Sequence, residues 1–330
     1  MQDYSQNRVL ALYNILTKYS DEHHPLSMQE ILTHMENSGH SCSDDSIRRY
    51  MKQLSTEMGV DIISGRGRNA RYYIGERLFE KEELKLLIDA INASNFIEKN
   101  ISTKMIDKLK DTISIHDAEA LDRTVLGITV AKTENRKILY NVNLIQEALN
   151  KKVQINFDSM RWNEKKELVK SNRHRQRMFP WALLWANDRY YLYGYDIVEK
   201  DGKYQARHYR VDKLDNMELT DIPRQGEKQF QTFHADTYVS RRMGMFAGEE
   251  RLITIKVPKY LVGAFIDQFG KRIMIIQSEE EKVFIKFTAV PSPILLGWLV
   301  GLQGVEVVEP VSVREEMIRM LKMNIEAYEE

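Results

Sequence analysis

The chain has 330 residues, enough for two or three domains, and 43% of them are hydrophobic, ample for real cores. Forty-eight basic residues balance 48 acidic ones, so any nucleic-acid surface must be local rather than a property of the whole chain. The single cysteine, Cys42, excludes an internal disulfide framework and a cysteine-rich zinc site. No early apolar run reads as a signal peptide and none reaches the ~18 residues of a membrane span, so a soluble cytoplasmic protein is expected.

Val9, Leu12, Leu16 and Tyr19 recur at helical spacing and predict a first amphipathic helix. Ser27 followed by Glu30 is a capping-box signature for a second, which carries Ile31, Leu32 and Met35 inward until Gly39 stops it. Ser43 or Asp44 caps a third helix with a buried stripe of Ile47, Tyr50, Met51, Leu54 and Met58. Gly59 ends it, and Val60–Ile63 and Arg71–Ile74 read as strands around a glycine-rich cationic loop, residues 64–70. Residues 1–78 thus read as a winged helix-turn-helix.

The third helix turns Ser46, Arg49, Lys52 and Gln53 away from its stripe, with Arg48 at the border. Between residues 46 and 73 there are six basic residues (Arg48, Arg49, Lys52, Arg66, Arg68, Arg71) against two acidic ones (Glu57, Asp61), an excess of four positive charges. A helix in the major groove and a wing near the backbone would use these mainly to neutralise phosphates, leaving one or two to read bases. Any single residue among them could equally sit on a solvated helix face. Ser46-Ile47-Arg48-Arg49 resembles the Thr-Ile-Arg-Arg element of helix-turn-helix regulators, with Asp45 where that class often has Arg.

Residues 79–140 predict connecting helices. Phe79–Ile91 has an acidic first turn and a stripe of Leu84, Leu87, Ile88 and Ile91. Thr103–Ser114 carries Met105, Ile106, Leu109 and Ile113, and a further helix holds Ile138, Val142, Ile145 and Leu149.

A basic run, Arg173-His174-Arg175-Gln176-Arg177, precedes two aromatic strands, Phe179–Trp185 and Arg189–Asp196, and a basic one, Arg207–Asp212. Asn187-Asp188 supplies a hairpin turn. Alternation puts Arg189, Tyr191, Tyr193 and Tyr195 on one face, and His208 with Arg210 on one face of the third strand. Guanidinium, imidazole and phenol groups on a small sheet can seat an anion or a nucleotide. The competing arrangement is an aromatic core in which the arginines pair with Asp196 or Asp212.

Pro-Trp-Ala-Leu-Leu-Trp, Arg-Tyr-Tyr-Leu-Tyr-Gly-Tyr-Asp and Arg-His-Tyr-Arg-Val-Asp-Lys-Leu, from residues 180, 189 and 207 onward, resemble the WYL domain of bacterial transcriptional regulators. Here Tyr190-Tyr191-Leu192 stands for the family's Trp-Tyr-Leu, and Ser159 occupies a place where the family often has an aromatic. The resemblance implies an α+β multidomain chain: a winged helix-turn-helix at 1–78, a helical linker or dimerisation segment at 79–140, a small Sm-like WYL barrel at 141–222 that senses ligand, a linker at 223–249, and a WYL-associated domain at 250–330. In that last segment Leu252–Val257, Val283–Val290 and Val305–Val308 read as strands and Tyr260–Phe269, Ile294–Gly301 and Val313–Tyr328 as helices, a βαββαβ-like order that suggests a ferredoxin-like sandwich. The resemblance makes Tyr191, His208 and Arg210 the main ligand-binding residues, helped by Arg189, Arg173, Arg175 and Arg177.

Enzymatic signatures are missing from the sequence. None of the eight histidines has metal-ligand spacing, and no nucleophile elbow, phosphate loop or dinucleotide fingerprint occurs. Cys42 reads as a small packing residue, Trp181 and Trp298 as core, and Met243–Phe246 as a docking strip or a local cluster. No enzyme, metal or cofactor is expected. The expected function is a homodimeric, sequence-specific transcriptional regulator whose affinity for a double-stranded operator changes with a nucleotide or single-stranded nucleic acid at the WYL domain. The alternative is a nucleic-acid-responsive accessory protein that modulates a defence effector.

Overall fold

The computed structural model describes residues 2–67, 69–124, 132–133, 135, 137–171, 175–198 and 203–329, and its contacts divide the chain into two units, Met1–Arg136 and Lys137–Glu330. In the first unit, α1 (Gln2–Tyr19), β1 (Leu26–Ser27), α2 (Met28–Asn37), α3 (Asp44–Met58), β2 (Ile62–Ser64) and β3 (Arg71–Ile74) surround one core. The ends of these helices follow from capping chemistry. Ser27 accepts from the Glu30 amide while the Glu30 carboxylate accepts from the Ser27 amide at 2.7 Å, which lowers the Glu30 pKa. Ser43 caps α3, and Gly59 ends it in the left-handed region at φ 69°.

Val9, Leu12, Ile15 and Leu16 of α1 pack on Ile31 and Met35 of α2, on Ile47, Tyr50, Met51 and Leu54 of α3, and on Tyr72 and Ile74 of β3. The sheet order is β1-β3-β2, with β2 and β3 as a hairpin. Met58 departs from the predicted stripe and is 57% exposed, because the last turn of α3 runs beyond the core before Gly59 stops it.

Among the described residues of this unit, three further helices follow: α4 (Lys81–Ala93), α5 (Lys99–Lys110) and α6 (Ile115–Thr124). They enclose Leu84, Ile88, Ile113 and Leu121. Leu87 and Met105, expected inside, are exposed, and α6 has no counterpart in the sequence reading. Besides Leu121 its attachment is polar: Ser114, at the start of α6, donates to Asp21 at 2.5 Å, and Lys81 pairs with Asp117 at 2.9 Å.

The second unit opens with α7 (Ile138–Lys151) and β4 (Val153–Trp162), β5 (Leu168–Lys170), β6 (Gln176–Ala186), β7 (Arg189–Val198), β8 (Lys203–Arg210) and β9 (Leu214–Pro223). The antiparallel order is β5-β4-β6-β7-β8, with β9 on β4. Among the described residues β8 pairs only with β7 and β9 only with β4, so the expected barrel does not close. Instead α7 fills one face, laying Ile145 and Ala148 against Ile155, Phe157, Met178, Leu192, Val211 and Leu214. Asn187 and Asp188, at φ 49° and 55°, form the two-residue hairpin turn between β6 and β7, with Ala186 opposite Arg189.

Residues 227–245 are not a bare linker. They form α8 (Glu227–Phe230), α9 (Ala235–Ser240) and a 3-10 turn at Met243–Met245. Beyond them come β10 (Arg251–Pro258), α10 (Val262–Phe269), β11 (Met274–Ser278), β12 (Lys282–Ala289), α11 (Pro293–Gly301), β13 (Glu306–Glu309) and α12 (Val311–Glu329). The four strands are antiparallel in the order β11-β12-β10-β13, so β12 lies between β10 and β11. Ile253, Ile255, Val257, Ile285 and Phe287 face Phe265, Phe269, Leu295, Leu299 and Val313 across this core.

Candidate nucleic-acid and ligand interfaces

The helical period sorts α3 into two faces. Ile47, Tyr50, Met51 and Leu54 are buried, while Arg48, Arg49 and Lys52 are exposed and Ser46 and Gln53 half-buried. Arg48 reaches the Tyr72 hydroxyl at 3.3 Å, and the Arg49 guanidinium lies 5.3 Å from the Tyr50 ring centroid. Gln53 donates to Glu57 at 3.0 Å. Arg66 is exposed between β2 and β3; Arg68 falls outside the described residues. Arg71 is engaged within the unit, donating to the Pro25 carbonyl at 2.8 Å and lying 3.7 Å from the Glu30 carboxylate. Three exposed charges on one helix face therefore lie in the same small unit as a cationic hairpin, whereas Arg71 fastens β3 to the chain before α2.

The second candidate face is the side of the β6–β8 sheet opposite α7. Register places Tyr191 opposite Arg210 and Tyr193 opposite His208, so strand alternation puts Tyr191, Tyr193, His208 and Arg210 on one face. The Tyr191 and His208 rings meet edge-on, with centroids 6.0 Å apart. Arg189 is half-buried at the start of β7 and donates to the Asn187 carbonyl at 3.3 Å. Gly194 sits where the bulged β6 crosses β7, and a Cβ there would lie 2.1 Å from the Phe179 carbonyl oxygen.

This face is covered by the chain itself. Tyr191, Tyr193 and Tyr195 are each no more than 5% exposed, packed in a cluster with Phe230, Phe233, Tyr238 and Met245. Phe233 stacks on Tyr193 at 4.2 Å between centroids, and Tyr238 meets it edge-on at 4.9 Å. Trp181 stacks on Phe230, with Arg224 on its ring at 3.7 Å. The predicted docking strip supplies Met245, whose side chain is buried and whose carbonyl meets His208 Nε2. His208 Nδ1 lies 2.8 Å from the Tyr238 hydroxyl. This covering has no periodic signal in the sequence; its one mark there is the concentration of Phe230, Phe233 and Tyr238 in a segment expected to be a linker.

The electrostatics follow from that burial. It lowers the His208 pKa from 6.5, against the bond to Met245, and it raises those of Tyr191, Tyr193, Tyr195 and Tyr238. Arg210 makes a two-pronged pair with Asp212, at 3.0 and 2.6 Å, which raises its own pKa further. Arg207 pairs with Asp196 at 2.8 Å, yet burial outweighs the pairing and pushes Asp196 up to about 6. Both arginine–aspartate pairs belong to the competing arrangement weighed from the sequence, and Tyr191 offers no open ring for a base to stack on in this state.

The described residues of the basic run, Arg175 to Arg177, do not join the cluster. Arg175 donates to the Asn216 carbonyl at 2.9 Å and pairs with Glu218 at 2.8 Å, on β9. Arg177 is exposed opposite Asn156 of β4, and Arg173 lies outside the described residues. Among the described residues no group of three or more His, Cys, Asp or Glu is placed to hold a metal ion, and no helix is long and apolar enough to cross a membrane.

No family model and no curated protein matches the sequence. Among solved structures, the chain is similar to the Proteasome accessory factor B/C (PafBC) of Arthrobacter aurescens, at 17% identity and a TM-score of 0.29, over 96% of this chain and 47% of that one. It therefore spans about half the length of that protein. It is also similar to a protein described as CRISPR Cas-related, at 13% identity and a TM-score of 0.40, over 98% of this chain and 85% of that one. At these scores neither likeness assigns a function.

Proposed function

We propose that this chain is a sequence-specific DNA-binding transcriptional regulator, not an enzyme, whose DNA affinity is set by an anionic effector at the β6–β8 sheet. In this reading residues 1–78 are a winged helix-turn-helix with α3 in the major groove and the β2–β3 hairpin as the wing. Residues 79–140 connect it to the sensor, and the last four strands with their helices form a ferredoxin-like sandwich. The observation that carries the reading is the face of α3: Arg48, Arg49 and Lys52 stand exposed directly behind a fully apolar buried stripe. Such a face positions a helix on phosphates and leaves Ser46 and Gln53 near base edges.

The effector, a nucleotide or a short single strand, would take charge-assisted bonds from Arg210 and His208 once residues 227–245 are displaced. The cover makes the sensor two-state: the same face holds either Phe233 and Tyr238 or the ligand. The test is a footprint on the DNA upstream of the chain's own gene, with Arg49→Ala and Lys52→Ala as variants. We expect a protected operator in the wild type and at least tenfold weaker binding in each variant, since a charged contact contributes roughly 1.5–3 kcal/mol. Duplex affinity unchanged in both folded variants overturns the DNA reading. Binding of an effector protein without duplex binding points to an accessory role instead.

A further inference from the structure

Where the end of α9 meets the four-stranded C-terminal sheet, a surface cavity of about 90 Å³ gathers three cations, Arg241, Arg272 and Lys286. Ser240 and Thr288 add hydroxyls, the buried Phe269 and Phe287 add an apolar wall, and none of the described lining residues is acidic. The charges come from three elements. Arg241 follows α9, Arg272 stands in the turn between α10 and β11, and Lys286 shares one face of β12 with Thr288. Their convergence is made by the fold, not by a basic run in the sequence. Little of this charge is spent internally. Lys286 enters no ion pair or side-chain hydrogen bond among the described residues. Arg272 gives Nη1 to the Thr237 hydroxyl at 3.3 Å, and Arg241 gives Nη1 to Glu250 at 2.7 Å, a carboxylate it shares with Arg242. A guanidinium has several N–H donors, so each arginine keeps others for a ligand.

We propose that this cavity binds one phosphate-sized tetrahedral oxyanion, either free inorganic phosphate or the phosphoryl group of a nucleoside monophosphate. Size and charge select it. Pockets that enclose a whole drug-sized ligand measure ~300 Å³ or more, so this one holds a single group. A carboxylate offers two oxygens and one charge, whereas phosphate offers more of both to cations that approach from separate elements. Arg241 and Arg272 supply the planar forks that match phosphate, and Lys286 supplies a point charge. The apolar wall lowers the local dielectric and strengthens the attraction. The cavity lies on the C-terminal sheet, apart from the β6–β8 face, yet its occupancy acts on the cover of that face. Ser240 ends α9 and Arg272 already holds Thr237 within it, so a bound anion fastens α9 and opposes its displacement. That consequence rests on the effector reading. The anion site does not, and its assay needs neither effector nor DNA.

The test is titration calorimetry on the full-length protein at fixed ionic strength, with inorganic phosphate, adenosine monophosphate and acetate as separate titrants. Hydrogen exchange over residues 235–242, with and without phosphate, locates the bound anion. Phosphate should bind roughly tenfold or more tightly than acetate and should protect residues 235–242. Lys286→Gln and Arg272→Gln, with folding checked by circular dichroism, should each weaken phosphate binding by roughly tenfold. Lys282→Gln removes the same charge four residues earlier on β12 and does not line the cavity, so it should bind phosphate as the wild type does. A monophosphate affinity no higher than that of phosphate assigns the site to the free anion, and a higher one assigns it to the phosphoryl group of a nucleotide. The proposal is overturned if neither phosphate nor the monophosphate binds, if acetate binds as tightly as phosphate, or if Lys282→Gln loses as much affinity as Lys286→Gln. Binding that leaves residues 235–242 unprotected overturns it as well.

Discussion

His208 and Tyr238, thirty residues apart, share a hydrogen bond of 2.8 Å between imidazole Nδ1 and phenol, while His208 Nε2 meets the Met245 carbonyl. A carbonyl only accepts, so the imidazole proton belongs on Nε2, and Nδ1 accepts from the tyrosine. A neutral histidine thereby pins both α9 and the following turn to the sheet. The groups that could recognise an anion are thus held in a closed, charge-neutral state by residues of the same chain.

Removing the pin should open the face. Tyr238→Phe deletes one hydrogen bond, and we expect a stability loss of about 1 kcal/mol. Tyr238→Ala also removes a ring packed on Tyr193 and His208, at a cost of roughly 2–4 kcal/mol. If the cover competes with an effector, the alanine variant binds nucleotides or oligonucleotides more tightly than the wild type while its duplex DNA affinity in the absence of effector changes little. Urea denaturation and titration calorimetry give the two readouts. Equal ligand affinity in both proteins removes the gating role of α9.

Acid should act on the same pin. Burial lowers the His208 pKa below 6.5, so the unfolded chain takes up the proton first as pH falls. The contribution of neutral His208 is complete above the unfolded value and is lost as pH drops from 6.5 toward the lower folded one. Asp196 works in the opposite direction. Its folded pKa of about 6 stands above the ordinary 3.8, so its contribution is present below 3.8 and is lost as pH rises through about 6. The two partly cancel between pH 4 and 6.5. Asp196→Asn should therefore unmask a steeper gain of stability with rising pH in that window, followed by denaturation at several pH values. A profile parallel to that of the wild type would remove Asp196 from this balance.

The parts legible in the sequence are those fixed by neighbours along the chain. Ser27 with Glu30, Gly59, and Asn187-Asp188 act over two to four residues, and each marks the boundary it signals. Strand alternation also placed Tyr191 and Tyr193 on one face. It could not tell whether that face met water, because what covers it arrives from residues 230–245 with no regular period. The helix α6 and the strand β11 were illegible for a related reason. The first is fastened by side-chain bonds such as Ser114–Asp21, and Met274, Ile275 and Ile276 are an exposed edge strand with neither alternation nor a buried run. The open sheet follows from α7: once a helix fills the apolar face, ladder closure is not needed to bury it.

Gly194 gives a test of the sheet independent of any ligand. A methyl group there would meet the Phe179 carbonyl oxygen at 2.1 Å and the Pro180 Cα at 3.1 Å. Both are backbone atoms, so no side-chain rotation relieves the clash and the β6–β7 ladder must separate. Gly194→Ala should cost more than the usual 1–3 kcal/mol of overpacking, read as a lower denaturation midpoint. Gly263→Ala, where a Cβ meets nothing within 4 Å, is the matched control and should lie within roughly 1 kcal/mol of the wild type.

The cationic residues of the first unit should separate by what they already hold. Arg66 is exposed and is expected to act through phosphate charge alone, so Arg66→Ala should weaken duplex binding uniformly across sequences and lower the salt slope by about one. Arg71 already donates to the Pro25 carbonyl and lies beside Glu30, so much of its charge is spent inside the unit. Arg71→Ala should lower stability measurably while changing the salt slope by clearly less than Arg66→Ala. Fluorescence anisotropy on an operator duplex between 50 and 200 mM salt, roughly the range over which phosphate contacts dominate, reads both slopes. Should Arg71→Ala lower the slope as much as Arg66→Ala with stability intact, Arg71 contacts DNA and releases its internal partners on binding.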